Sequence, residues 1–357
     1  GVGLRIYDLL AGKYGFGKSR VLSREETLER LPNLKPEGLR GGVEYYDGQF
    51  DDARLLIHMA RTAAEQGAAL ANYVEVIALL KDGQGLVTGA RVRDRERGEE
   101  FEIRARAVIN ATGCFSDAVR RMGDAEARPM IAPSQGVHLV FDASFLRGEA
   151  AILAPRTRDG RVMFAIPWHG HALVGTTDTA LDEVTLEPQP MEEEIGLILE
   201  TAADYLERAP SRSDILSAWA GIRPLVKSAE GASTASLARD HSIHIDRNGL
   251  ITIAGGKWTT CRRMAEDCID QASVLAGLEE RACVTRRLRI HGYHHHAEQF
   301  GALSVYGSDA VAIREMMRLH PERARPLASE LPYTEAEAVW AARWEMALHV
   351  EDLLERR

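Results

Sequence analysis

Two arginines and one lysine have the chemistry needed to bind an anionic substrate. Arg223 lies in a segment containing glycine and proline that we interpret as a stiff turn, Arg239 follows it, and Lys257 lies between a predicted strand and a predicted long helix. A guanidinium group binds two oxygens at once and stays charged, as recognition of a phosphate group requires. Each arginine alone is as readily explained as a solvated surface side chain, so only the combination indicates a phosphate site.

One histidine is a candidate for moving a proton. His138 lies on an apolar strand predicted from Val137 to Phe141. A lone histidine in such a strand is usually structural, and the alternative is that it faces a substrate and takes or holds a hydroxyl proton. His291 and the run His294 to His296 have no cysteine or carboxylate at a standard ligand spacing, so we expect a polar linker there and no metal site.

The octapeptide from Gly12 to Ser19 matches the P-loop consensus, in which backbone amides and a lysine hold phosphates. A true P-loop follows a buried strand and opens a long helix. Here a short helix predicted from Leu4 to Leu10 precedes the match, and a helix-capping signal at Ser23 follows it closely. We therefore interpret the match as accidental and do not expect ATP or GTP binding.

Two glycine-containing turns each end a predicted buried strand. Asn110-Ala111-Thr112-Gly113 ends one strand and precedes a helix predicted from Ser116 to Met122, while Gly255-Gly256 ends another and precedes a helix predicted from Trp258 to Leu275. Glycine lets a backbone approach a ligand closely, and the amides at a helix N-terminus attract anions. Ordinary turns are the alternative for both, since glycine ends many strands.

The secondary structure predicted from the sequence changes along the chain. Between about 130 and 225 it is typical of antiparallel strands, near 250 it returns to strand, turn and helix, and from about 297 it is helical. Capping boxes are predicted at Ser23 with Glu26 and at Thr334 with Glu337. The remaining predicted helices run from about 52 to 67, 192 to 208, 310 to 319 and 334 to 354. We predict a mixed α/β (α+β) chain.

Composition excludes several classes of protein. The 357 residues carry a net charge of -9 without a basic block, so nucleic acid is not an expected partner. No apolar run reaches the roughly 20 residues that span a bilayer, and no signal peptide is recognisable, so we predict a cytoplasmic protein and leave open peripheral contact with the inner face of the cytoplasmic membrane. The four cysteines form no C-x-x-C pair, which indicates reduced thiols.

The order of these motifs resembles the FAD-dependent glycerol-3-phosphate dehydrogenases and the related glycerophosphate oxidases. The resemblance is carried by Asn110 to Gly113, Gly136 with His138, Gly175 to Asp178, Gly221 to Leu225, Arg239-Asp240, Gly255 to Thr260 and the tail from Trp344 to Arg357. It implies an FAD/NAD(P)-binding flavoprotein fold of the D-amino-acid-oxidase-like group. It also implies hydride transfer from C2 of glycerol 3-phosphate to flavin N5, giving dihydroxyacetone phosphate, with quinone or oxygen as electron acceptor.

The resemblance also assigns roles to residues. Arg223, Arg239 and Lys257 would grip substrate oxygens, and His138 would deprotonate or orient the C2 hydroxyl. FAD would contact Val76, Ala111, Thr112, Gly113, Gly255, Gly256, Lys257, Trp258 and Thr259. The implied segments are a partial FAD-binding domain at 1–129, an antiparallel substrate domain at 130–230, a return to the FAD-binding domain at 231–290 and a C-terminal helical domain at 297–357.

The sequence departs from the family in one respect. The Gly-x-Gly-x-x-Gly strand and helix that bind the FAD pyrophosphate, with the segment that gives an arginine and a tyrosine to the substrate, are not found and should precede Gly1. We therefore expect this chain to bind FAD poorly, and an exposed strand edge to pair with another chain or become disordered. An FAD-dependent amino-acid-type oxidase and a catalytically silent interaction module stay open as alternatives, as does a homodimer.

Overall fold

The computed structural model describes residues 12, 15–155, 157, 160–227 and 241–356. Contacts divide the chain into two compact units. The first comprises Gly1–Asp47, Val76–Arg93 and Glu100–Arg281, and the second comprises Gly48–Glu75, Asp94–Glu99 and Ala282–Arg357. Among the described residues, no helix combines the length and apolar character that a membrane crossing requires. The four predicted segment boundaries stay a prediction.

The strands, in chain order, are β1 Arg20–Leu22, β2 Gly42–Glu44, β3 Val74–Lys81, β4 Val87–Asp94, β5 Glu100–Arg104, β6 Ile109–Asn110, β7 Ile131–Asp142, β8 Ile152–Ala154, β9 Met163–Trp168, β10 His171–Gly175, β11 Thr179–Ala180, β12 Ile215–Val226, β13 His241–Ile245 and β14 Ile251–Gly255. The α-helices are α1 Arg24–Arg30, α2 Asp52–Glu65, α3 Ser116–Gly123, α4 Glu192–Tyr205, α5 Cys261–Leu275, α6 Ala310–Leu319, α7 Glu335–Trp344 and α8 Val350–Arg356. Short 3₁₀ turns cover Gly113–Phe115, Ala143–Phe145, Arg212–Asp214, Trp258–Thr260 and Pro321–Ala324, and a longer 3₁₀ segment, Ala297–Asp309, is interrupted at Gly301 and Gly307.

A six-stranded antiparallel sheet forms the largest part of the first unit. Strands β10 and β11 pair with successive parts of β7 along one edge, and β12 pairs with β7 along the other edge. Beyond β10 the order continues with β9 and then β8. Side chains alternate between the two faces of a strand, so Val137, Leu139 and Phe141 all point to one face, where they are buried with Ile198 and Ala202 of α4. The opposite face of β7 is left for polar chemistry. The predicted block of antiparallel strands is confirmed.

The interpretation of Gly221 to Leu225 as a turn was wrong. Arg223 and Pro224 lie within β12, which pairs antiparallel with β7 from Ile131↔Val226 to Phe141↔Ile215. Pro224 lies opposite Pro133 in this register. The two residues that lack an N–H therefore face each other, and the strand continues past them instead of turning.

A smaller sheet has the order β13-β14-β6, with β14 and β6 parallel and β13 antiparallel to β14. Cys268 and Ala272 of α5 pack against Ile251 beneath this sheet. Each parallel strand is followed by a 3₁₀ turn and a helix, so the two predicted strand, turn and helix units are confirmed. The helix predicted from Trp258 begins instead as a 3₁₀ turn and becomes α-helical at Cys261. Strand β13 was not predicted.

The remaining strands of the described residues form two further sheets. Strands β3, β4 and β5 form a meander, and β1 pairs with β2. The predicted capping box at the start of α1 is confirmed, because Glu26 N donates to Ser23 Oγ at 3.1 Å and Ser23 N donates to Glu26 Oε2 at 2.8 Å. The helix predicted from Leu4 to Leu10 lies outside the described residues, and so do Lys13 and Tyr14 of the P-loop match.

The second unit is helical, with Phe300, Tyr306, Ile313 and Trp340 in its core. Helix α7 begins with the predicted Thr334 and Glu337 capping box. The continuous helix predicted from 334 to 354 was wrong, since α7 ends at Trp344 and α8 begins at Val350. Met346 has a φ of 57°, which interrupts the helix. Asp352 Oδ2 then accepts hydrogen bonds from the backbone of Leu348 and His349, which starts the second helix.

A buried ion pair within the second unit generates a prediction. The Arg54 and Glu345 side chains are 7% and 0% exposed and form a direct salt bridge, and the Arg54 guanidinium lies 4.4 Å from the Tyr306 ring centre. Arg54→Met should leave a buried carboxylate without this partner and lower the free energy of unfolding by about 3–5 kcal/mol. Urea denaturation followed by tryptophan fluorescence measures the change.

The matched control is Arg318→Met, which breaks the exposed pair of Arg318 with Glu315 on α6. Exposed pairs contribute less than about 1 kcal/mol, so this variant should unfold nearly as the parent does. Equal losses for the two variants would contradict the prediction.

Candidate functional site

The register of β7 with β12 gathers the candidate residues on one face of the large sheet. Residues two apart in a strand share a face, and residues opposite each other in the ladder are neighbours. The opposed pairs on this face are Ser134↔Arg223, Gly136↔Gly221 and His138↔Trp219. The predicted phosphate-binding arginine and the predicted proton-handling histidine are thus brought to the same surface.

The Arg223 side chain is held in a defined position across β7. Its Nη1 donates to the carbonyl oxygen of Thr177 at 3.0 Å, and its Nη2 donates to Thr176 Oγ1 at 3.0 Å. To reach these acceptors the guanidinium passes over Gly136, where a Cβ would lie 2.2 Å from Nη2. Gly136 is therefore needed for close approach, and the guanidinium is held through both of its Nη atoms while the side chain stays 36% exposed.

Asp178 adds a negative charge beside this arginine. Its carboxylate lies 3.1 Å from Arg161 Nη1 and 4.0 Å from Arg223 Nη1. It also accepts a hydrogen bond from Ser134 Oγ. Thr176, Thr177 and Asp178 thus supply three successive groups around Arg223.

His138 is enclosed between an indole ring and a glycine. Its ring stacks on Trp219 with centroids 5.7 Å apart and an interplanar angle of 19°. On the other side, a Cβ at Gly175 would lie 2.3 Å from His138 Cδ2. Burial, followed by the positive charge of Arg223, lowers the pKa of His138 to about 4. The imidazole is therefore neutral at neutral pH and able to accept a proton.

The two glycine turns leave the same edge of the parallel strand pair. Strands β6 and β14 pair through Ile109↔Ile251 and Asn110↔Thr252, so the residues that follow both strands emerge side by side. Asn110 links the pair, since its Nδ2 donates to Thr252 Oγ1 at 3.2 Å and its Oδ1 accepts from Thr112 Oγ1 at 2.7 Å. This edge is where open α/β sheets bind their ligands.

The arginine strand adjoins this edge. A Cβ at Gly113 would lie 4.0 Å from Cγ of Pro224, the residue after Arg223, so the Thr112 turn contacts β12. Lys257 is exposed at the end of β14, and its backbone N donates to Thr260 Oγ1 at 3.0 Å. In the same turn Trp258 is half-buried and Thr259 is exposed.

One predicted site residue, Val76, lies in another sheet. Val76 is half-buried on β3, in the separate sheet formed with β4 and β5. Arg239 lies outside the described residues, so its predicted role stays a prediction.

Trp219, Thr176 and Thr177 lie at this face and were not predicted as site residues from the sequence. Trp219, Gly221 and Arg223 alternate with a period of two, which is the signal of a strand face, but Pro224 favoured a turn. The roles of Thr176 and Thr177 as acceptors for Arg223 depend on pairing between distant strands, which no local pattern predicts.

Comparisons with known proteins agree with this architecture. Residues 3–262 match the family "FAD dependent oxidoreductase", and residues 251–357 match "C-terminal domain of alpha-glycerophosphate oxidase". The chain is 42% identical to "Probable glycerol-3-phosphate dehydrogenase, mitochondrial" of Caenorhabditis elegans, over 99% of this chain and 52% of the relative. It is 41% identical to the human "Glycerol-3-phosphate dehydrogenase, mitochondrial", over 100% of this chain and 52% of the relative. The chain thus spans about half the length of these curated relatives.

A solved structure supports the same grouping. The glycerol-3-phosphate dehydrogenase from Bacillus halodurans complexed with FAD superposes with a TM-score of 0.78 at 28% identity, covering 94% of this chain and 70% of that chain. The predicted D-amino-acid-oxidase-like flavoprotein fold with a C-terminal helical domain is confirmed. From its sequence match and its fold together, the chain belongs to the family of FAD-dependent oxidoreductases.

Proposed function

We propose that this chain carries the substrate-oxidising part of an FAD-dependent enzyme that converts sn-glycerol 3-phosphate to dihydroxyacetone phosphate. The observation that carries the proposal is the placement of Arg223 and His138 on one face of the β7 and β12 pair, beside the Thr112 turn. The names of the relatives point to the same substrate.

The residues at the edge of the parallel strands fit a bound flavin. Gly255 and Gly256 have φ values of 77° and 70°, a left-handed conformation that favours glycine, and a Cβ at Gly256 would lie 2.4 Å from Met264 Sδ. The amides at the start of the following helix offer positive potential, and Lys257 adds a charge. When bound, FAD supplies the acceptor for the hydride. The residues proposed to hold it are Val76, Ala111, Thr112, Gly113, Gly255, Gly256, Lys257, Trp258 and Thr259.

Substrate binding is assigned to the cations. A phosphate dianion needs fixed positive charge, and Arg223 is already oriented by Thr176 and Thr177. Lys257, and Arg239 from outside the described residues, complete the proposed set. This cationic character favours a phosphorylated alcohol over the amine of an amino-acid-type oxidase.

Proton transfer is assigned to His138. A neutral imidazole accepts the proton of the C2 hydroxyl as that carbon becomes a ketone, and the pKa of about 4 keeps His138 in this form. Quinone or oxygen is the proposed terminal acceptor. A cytoplasmic location, peripheral contact with the membrane and a homodimer belong to the same proposal.

Flavin reduction tests the function directly. We expect the FAD-supplemented chain, and more strongly a version extended at its N-terminus by a Gly-x-Gly-x-x-Gly strand and helix, to lose the visible absorbance of oxidised flavin when sn-glycerol 3-phosphate is added without oxygen. Glycine and D-alanine are the controls for the amino-acid-oxidase alternative. A yellow extended protein that sn-glycerol 3-phosphate does not bleach would overturn the proposal.

The approach of Arg223 over Gly136 generates a second prediction. Gly136→Ala places a Cβ where the guanidinium lies, so Arg223 must shift and kcat/KM should fall by about 10²-fold, as expected for a displacement of about 1 Å. Gly196→Ala is the matched control, because Gly196 lies in α4, which packs on the opposite face of the sheet, and a Cβ there meets no described atom within 4 Å. Steady-state kinetics at equal flavin content should separate the variants, and equal activities would contradict the assignment.

The neutral state of His138 generates a third prediction. Activity needs the unprotonated His138 ring. Titration of His138 should therefore leave kcat/KM unchanged near neutral pH and lower kcat/KM as the pH falls through about 4. His138→Gln should lower kcat by about 10²–10⁴-fold and remove that acidic limb. Circular dichroism at each pH checks that the protein stays folded. An unchanged kcat in His138→Gln would refute the role.

A further inference from the structure

A buried carboxylate lies behind the segment that holds Arg223. Glu194, in the first turn of α4, is 4% exposed. Its Oε1 accepts from Thr179 Oγ1 at 2.7 Å and from Thr177 Oγ1 at 3.0 Å. Its Oε2 accepts from Gln135 Nε2 at 2.7 Å and from the backbone N of Met191 at 3.0 Å. One carboxylate therefore joins a helix, β7 and the segment after β10.

All four hydrogen-bond partners of Glu194 donate to it, so the Glu194 side chain must act only as an acceptor. An ionised carboxylate has that property, whereas an amide or a protonated acid would present a hydrogen to one of the donors. Burial acts to raise the pKa of Glu194, but the hydrogen bonds from Thr179, Met191, Gln135 and Thr177 together lower it below its usual value. Glu194 is therefore charged at neutral pH.

Thr177 connects this carboxylate to the arginine. Its hydroxyl donates to Glu194 and accepts from Val137 N at 3.1 Å, so both directions of the hydroxyl are used. Its carbonyl oxygen accepts from Arg223 Nη1 at 3.0 Å. Thr177 is 2% exposed, so water does not replace these partners readily. Glu194 holds the Thr177 side chain, and the Thr177 carbonyl oxygen holds Arg223. The position of the Arg223 guanidinium thus depends on Glu194.

We propose that Glu194 is a positioning residue for substrate binding: by fixing Thr177, it fixes the Arg223 guanidinium that receives the substrate's oxygens. The inference rests on the proposed function, because it takes Arg223 as a group that binds substrate. Glu194 itself contacts no substrate in this account, and it acts from the opposite side of the Thr177 peptide.

The sharpest variant is Glu194→Gln, which keeps volume but places an amide NH₂ against donors. In the FAD-loaded protein we expect KM for sn-glycerol 3-phosphate to rise about 10-fold, with kcat changed less, because a loosened arginine weakens binding of ground state and transition state alike. Flavin content should be unchanged. Thr177→Val, which removes the hydroxyl alone, should raise KM similarly, and the double variant should be no worse than either single variant.

The matched control is Glu337→Gln in the second unit. Glu337 is also a buried capping glutamate, and its Oε2 accepts from Thr334 N at 2.7 Å. Its loss should lower the melting temperature and leave KM unaltered, which separates loss of a cap from loss of positioning. Thr177→Val keeps the proposal testable if Glu194→Gln does not fold.

These experiments distinguish failure of the proposed function from failure of the proposed role of Glu194. If the parent protein is not reduced by sn-glycerol 3-phosphate, the proposed function fails and this inference fails with it. If the parent is active and Arg223→Lys raises KM, but Glu194→Gln and Thr177→Val bind substrate as the parent does, the proposed function stands and the role of Glu194 is overturned.

Discussion

The antiparallel register of β7 with β12 constrains both the core and the chemistry of the first unit. Val137, Leu139 and Phe141 are 0%, 0% and 1% exposed, and they alternate with residues of the opposite face such as His138. A slip of one residue in β7 would move this apolar set to the polar face and turn His138 toward the apolar core. Burial of the core therefore fixes the strand that carries the histidine, and pairing then fixes Arg223 opposite Ser134.

The arrangement of the polar face depends on two glycines, which have no side chain, as much as on the polar side chains. Arg223 passes over Gly136 and His138 packs over Gly175, at positions where a Cβ would lie 2.2 Å and 2.3 Å from the respective side chains. Behind them, the burial of Glu194 is offset by its hydrogen bonds. A cation held in this way needs little reorganisation when an anion arrives, which is how preorganised charge assists binding and catalysis.

Local patterns predicted much of this structure, and long-range pairing accounts for what they missed. The capping boxes of α1 and α7 and both strand, turn and helix units follow from short spacings, and the order of motifs indicated the family. Pro224 misled because proline usually ends a strand, and only its partner Pro133, far away in the chain, explains the exception. The link from Glu194 to Arg223 likewise depends on tertiary contacts, and at the helix break after Trp344 the Met346 carbonyl accepts a hydrogen bond from Asn72 Nδ2.

The central claim is that Arg223 and His138 face one phosphorylated alcohol beside the flavin-binding edge. A crystal structure of the protein with FAD and sn-glycerol 3-phosphate bound tests it most directly. The account predicts a substrate oxygen within about 3 Å of the Arg223 guanidinium and the C2 hydroxyl within hydrogen-bond reach of a His138 ring nitrogen. A substrate bound at another surface, with Arg223 and His138 both remote from it, would contradict the account.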